Sequence, residues 1–297
     1  MLLEGEGAAA EAMQPLLAQA AKKERGDPAE GPTADFKRGA GPEKVVSASR
    51  WMNEAPHDAS RQCHGAAELA ELLQVELSGI GVRTAEAAAV DAIVSALTFH
   101  PHQPDVQLVC CAALARVAES PGRRQMLLHT SACEALLGAM SRSASSALPR
   151  VSACACVALA SFIGDSSSVD PGAVRRAIHA GAAREVVAAM RLAPTHADVQ
   201  ENGCIALNRL MADTSTARVG IELVQEGAQE ALMAAIKAFP RRVLLLRQAN
   251  EALRNLVRSS ALSTDFIDLH LGEKLLTLAI ADEQRERQAA ALRVPED

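Results

Sequence analysis

Cysteine and histidine are the residues in this chain best suited to act as nucleophile, base or metal ligand. In HADVQENGCIALNRLM, His196 to Met211, Cys204 follows the turn dipeptide Asn202-Gly203. A thiol on an exposed glycine loop would be a candidate nucleophile. In FHPHQPD, His100 and His102 flank Pro101. Two histidines at that spacing could open a metal site, yet no Cys or acid pattern nearby completes one. No phosphate-binding glycine loop, nucleophile elbow or HExxH occurs. The stretch SGIGVR at Ser78 lacks the preceding strand and third glycine of a dinucleotide site. The chain is therefore expected to be no enzyme and to carry no cofactor or metal, with His100 and His102 in a solvated loop.

Composition points the same way. The formal net charge is -6, so the clustered positive charge a nucleic-acid binder needs is not expected. No apolar run approaches the roughly 18 residues of a membrane span. The first residues, MLLEGEGAAAEAMQPLL, carry acids where a targeting segment would be basic or acid-poor. Seven cysteines, an odd number, sit inside apolar runs. That fits reduced thiols of an intracellular protein, cytoplasmic or nuclear, better than a disulfide framework. Hydrophobic residues make up 49% but aromatics 2%, with no Tyr. A core of Ala, Leu, Val, Cys and Met suits packed helices rather than strands.

The elements that position these residues recur. Ala88 opens AAVDAIVSALTFHP, Gly181 opens GAAREVVAAMRLAP and Gly227 opens GAQEALMAAIKAFP; each ends in Pro thirteen residues on. Ser131 opens SACEALLGAMSRSA, with Ala144 in the Pro position. The apolar spacing is helical, and the Pro marks where each helix stops. A second helix follows every time: DVQLVCCAALARV from Asp105, RVSACACVALASF from Arg150, DVQENGCIALNRL from Asp198 and VLLLRQANEALRNL from Val243. A short third segment precedes the last three starts and sets Leu128, Ile178 and Val224 three residues before them. Weaker copies lie around Val45-Val46 and around GEKLLTLAIA.

In this register Cys111, Cys156 and Cys204 share one position, with Asn250 in the fourth copy, and the position before holds Cys110, Ala155, Gly203 and Ala249. Small residues recur where helices approach closely, and free Cys packs there as a small hydrophobe. A catalytic nucleophile would not recur in copy after copy. Asn202-Gly203 is accordingly expected inside a helix. His129 and His179 also occupy equivalent positions. In GDSSSVDPG, Asp170 and Pro171 are placed to cap and start a helix; Ser166, Ser167 and Ser168 could accept phosphate, though a solvated turn is the simpler reading.

Three helices per 43 to 50 residues, with long helices reading VQENGCIAL after Pro-ended shorter ones, resemble armadillo repeats. The resemblance covers about Gly41 to Glu283. It implies an all-α, right-handed α-solenoid of about four full repeats with partial copies at both ends. Residues 1–40 would be a flexible or capping segment and 41–297 the repeat domain, with starts near 41, 88, 131, 181, 227 and 270. It also implies a groove along the long helix that takes a peptide or helix of a protein partner. Carried over position by position, that face is Leu108, Ala112 and Arg116; Ala153, Val157 and Ser161; Glu201, Ile205 and Arg209; Arg247, Glu251 and Asn255. Nuclear-import adaptors carry Trp and Asn ladders on this face. Only Asn255 keeps that pattern, which puts a nuclear-localisation-signal receptor in doubt. Arg116 and Arg209 would flank an apolar groove, and Glu251 could pair with Arg247 at i, i+4. Three readings stay open: a stand-alone scaffold or adaptor; an accessory segment of a larger complex or multidomain protein such as a kinase or ubiquitin ligase; an enzyme with an undetected site.

Overall fold

A computed structural model describes residues 41–74, 77, 80–164, 168–212, 217–259 and 269–291. The expectations for residues 1–40 and for Ser166 and Ser167 lie outside these. Among the described residues there are fourteen helices and no strand. They are α1 (Pro42–Glu54), α2 (Ala59–Leu72), α3 (Val82–Phe99), α4 (Pro104–Ala118), α5 (Pro121–Leu127), α6 (Ala132–Ser145), α7 (Pro149–Ile163), α8 (Pro171–His179), α9 (Ala182–Leu192), α10 (Ala197–Met211), α11 (Ala217–Gln225), α12 (Ala228–Ala238), α13 (Val243–Ser259) and α14 (Leu269–Ala291). No described helix is long and apolar enough to cross a membrane.

Local chemistry sets the helix ends. Five helices begin on proline, whose missing N–H costs nothing in the first turn. Asp170 caps α8, its carboxylate accepting from Gly172 N at 2.7 Å and Ala173 N at 3.3 Å. Helices α3, α9 and α12 stop two residues before Pro101, Pro194 and Pro240. Helix α6, with Ala144 in the Pro position, runs on to Ser145. The chain then closes the turn with Ala147 at φ +53°, the one described non-glycine residue at positive φ.

One start differs from the sequence reading. Ala88 lies inside α3, which begins at Val82 behind Gly81 at φ +86°. Gly181 and Gly227 hold the same left-handed turn before α9 and α12, at φ +88° and +82°. The equivalent signal for α3 is therefore Gly81, and its first turn and a half extends the copy upstream.

Packing forms two layers. Helices α2, α4, α7, α10 and α13 each lie against the next, and α1, α3, α6, α9 and α12 form a second row in the same order. Each member of the second row also packs on its partner in the first. The short helices α5, α8 and α11 wedge between successive pairs, and α14 lies on α13. A single apolar core runs through both rows, from Val45 to Ala279.

Close approach between the rows explains Gly203. It sits within α10, so Asn202-Gly203 is helical and not a turn. A Cβ there would come within 2.6 Å of Met190 Cγ on α9. Gly65 in α2 faces Met52 in the same way. The helix-propensity cost of glycine, about 1 kcal/mol, is offset by room for a buried methionine.

Arginines of the third helices tie neighbouring copies together. Arg123 in α5 is 5% exposed; it donates to Leu73 O at the end of α2 and pairs with Glu86 of α3 at 2.7 Å. Arg176 in α8 donates to Leu128 O at 2.8 Å, Thr130 O at 2.7 Å and Glu134 at 2.8 Å. Arg124 donates to Ser168 Oγ at 3.0 Å.

Candidate functional site

The face that the long helices present is fixed from behind by buried glutamines that the sequence reading passed over. Gln107 Nε2 donates to Leu97 O at 2.7 Å and His100 O at 2.9 Å. Gln200 Nε2 makes the equivalent bonds to Met190 O and Ala193 O, and Gln62 Nε2 to Met52 O and Ala55 O. Each glutamine adds a donor to two carbonyls at the end of the preceding helix; His100 O, Ala193 O, Ala55 O and Met52 O also accept a backbone N–H. Ser152 takes the position in α7 and bonds Ser143 Oγ at 2.8 Å. The signal was present in the repeated DVQ.

The thiols are structural. All seven cysteines are buried and none forms a disulfide. Burial pushes Cys133, Cys154 and Cys156 up to about 12, and raises Cys110, Cys111 and Cys204 as well. Such groups stay protonated at neutral pH, so nothing around Cys204 activates it. Asn250 stands in the same position because α14 crosses there: its Nδ2 donates to Gly272 O at 3.0 Å.

His100 does not lie in a solvated loop. It is 7% exposed, and its Nε2 lies 2.7 Å from Pro56 O of the preceding copy. Its place as the residue capping the end of α3 turns the ring inward. His102 is exposed, as are His129 and His179. No described group of three His, Cys, Asp or Glu could hold a metal ion.

The twelve residues of the expected stripe differ widely in access. Arg247 is exposed, and Leu108, Ser161, Glu201, Ile205 and Glu251 are half-buried. Ala112, Ala153 and Val157 are buried. Arg116, Arg209 and Asn255 are buried too, at 8%, 6% and 7% exposure. The accessible part of the stripe is therefore Leu108, Ser161, Glu201, Ile205, Arg247 and Glu251.

Polar contacts stitch that stripe together. Asn202 Nδ2 donates to Ala153 O at 3.4 Å, and Cys154, in the same position of α7, reaches Leu108 O at 3.6 Å. Asn208 donates to Gln248 at 2.7 Å, Asn255 to Asn208 at 3.3 Å, and Arg258 to Asn255 at 3.2 Å. Glu201 pairs with Arg242 at 3.3 Å. Glu251 does not pair with Arg247; it takes Arg254 at 3.1 Å, one helical turn on, with Arg258 at 3.9 Å. Arg116 bonds Glu119 through Nη1 at 3.2 Å, while its Nε and Nη2 are buried without a hydrogen-bond partner.

At the other end of the array, Glu68 of α2 occupies the position of Ala113, Ala158, Ala206 and Ala252 in the later long helices. Burial, helped by Glu71 and opposed by Lys44, pushes its carboxyl up to about 7, and Oε2 is buried with no hydrogen-bond partner. The folded state favours the protonated acid, so this contribution to stability is present at low pH and is lost as pH rises from the ordinary 4.5 through about 7. Glu68→Gln is expected to match the wild type in urea midpoint near pH 4 and exceed it at pH 8. An equal difference at both pH values would contradict the assignment.

No family model, curated protein or solved structure matches the chain.

Proposed function

We propose that the chain is a non-enzymatic scaffold of armadillo type, a right-handed α-solenoid that holds a peptide or helix of a protein partner along its long-helix face. The observation that carries this reading is the unbroken row α2, α4, α7, α10 and α13. On that row Leu108, Ile205, Glu201 and Glu251 are half-buried and Arg247 is exposed. The short third helix in successive copies favours armadillo repeats over two-helix units. Half-buried apolar side chains on the same row as charged ones suit a partner-binding face. Buried thiols without disulfides fit a place inside the cell.

Arg116 and Arg209 are too buried for charge reversal to leave the fold unchanged. The test uses Leu108→Asp with Ile205→Asp, whose side chains reach solvent. Partner capture by the double variant, measured below its thermal transition, is expected to fall roughly tenfold or more, as for a hot spot, with the helical spectrum retained. Undiminished capture by the folded variant would overturn the groove.

A further inference from the structure

A cleft of about 230 Å³ opens where the turn after α3 meets the end of α6 and the start of α7. It is separate from the long-helix edge proposed to bind a partner. Its lining includes His102, Gln107, Arg142, Ser143 and Ser146, and no acidic side chain. Water occupies about 30 Å³ per molecule, so the space suits a small polar group and its hydration. It falls short of the pockets that enclose larger organic ligands.

Arg142 is the charged group of this cleft. Its guanidinium carries five N–H donors. The structure engages it through Nη2 to Gln107 Oε1 at 3.4 Å, and Nε is buried without a hydrogen-bond partner. Gln107 is itself locked, because its Nε2 is committed to Leu97 O and His100 O. Its carbonyl oxygen therefore stays aimed at Arg142. Gly138, one turn back on α6, leaves room for the folded-back side chain: a Cβ there would sit 3.0 Å from Nη1.

This arrangement occurs in one copy of four. The position of Arg142, last turn of the first helix, holds Phe99, Leu192 and Ala238 in the others. Serine hydroxyls cover carbonyls in the last turns of α6, that of Arg142 among them. Ser143 Oγ donates to Met140 O at 2.9 Å, and Ser145 Oγ to Ser141 O at 3.2 Å and Arg142 O at 2.9 Å. An arginine short of acceptors, flanked by a histidine and a hydroxyl in an acid-free cleft, has the chemistry of an oxyanion receptor.

We propose that this cleft binds a phosphate-type oxyanion, held by the Arg142 guanidinium with His102 and Ser146 as flanking donors. The group could arrive as free phosphate or on a phosphorylated side chain. The test titrates the full chain with inorganic phosphate and, separately, with a short phosphoserine peptide, at constant ionic strength. Binding is followed by calorimetry and by the arginine Nε–H signals in NMR. Saturable binding that moves the Arg142 signal is expected. It should weaken roughly tenfold or more in Arg142→Leu, a residue type the sister position already accepts at Leu192. Ser146→Glu, which puts a carboxylate in the cleft and keeps Arg142, should weaken it as well. Tighter binding of the peptide identifies a phosphorylated side chain as the source; equal or weaker binding identifies free phosphate. No saturable phosphate binding, or equal binding by wild type and both variants, would overturn the proposal.

Discussion

Arg123→Ala is expected to lower the unfolding free energy by about 3–5 kcal/mol, the cost of deleting one member of a buried ion pair. The side chain is 5% exposed and links Leu73 O with Glu86. Truncation leaves the Glu86 carboxylate, itself only 13% exposed, without its cation. The loss arises mainly from that stranded charge rather than from the bond itself. Arg123→Met with Glu86→Leu should therefore recover most of it, since replacing both partners by apolar groups is often neutral. Urea unfolding of the two singles and the double measures the coupling. Additive losses would mean that Arg123 acts through packing and not through Glu86.

Gln200→Leu is expected to cost about 1–3 kcal/mol. The side chain is 3% exposed and donates to both Met190 O and Ala193 O. Leucine preserves bulk but leaves Met190 O without its donor, at about 1–3 kcal/mol for a buried group, while Ala193 O keeps the His196 N–H at 3.1 Å. Gln107→Leu should behave alike, and should additionally release Arg142 from Gln107 Oε1. Leu246 fills the same position in α13, so leucine itself is compatible with the backbone. A loss under about 0.5 kcal/mol, the range of ordinary surface changes, would show that water satisfies Met190 O.

Most helices of this fold were legible because their signals are local. Proline stops, the Asp170 cap and the 3.6-residue apolar spacing act within one or two turns. Position-by-position comparison placed Gly203 inside a helix where the Asn-Gly rule alone would put a turn. The start of α3 was misplaced because Ala88 fits the apolar register, while Gly81 sits upstream in SGIGVR, a stretch weighed only as a nucleotide loop. The candidate face was legible as a stripe but not in its depth. Spacing gives direction around a helix, whereas the burial of Arg116, Arg209 and Asn255 depends on neighbouring helices. The partner of Glu251 was missed for a related reason. Arg247 and Arg254 are both within reach along α13, but Arg254 also bonds Glu273 on α14 at 2.9 Å, which holds it beside Glu251. His100 and the glutamine clamps needed knowledge of which carbonyls end up buried.

The central claim is that a partner segment lies along the long-helix edge. Photocrosslinking from single positions tests it most directly. A photoreactive residue replaces Leu108 or Ile205 on that edge, or Phe99 or Leu192 on the second row, where the side chains are 55% and 63% exposed. The account predicts one discrete partner adduct from Leu108 and Ile205 and none from Phe99 and Leu192. Adducts from the second row alone, or equally from all four positions, would contradict it.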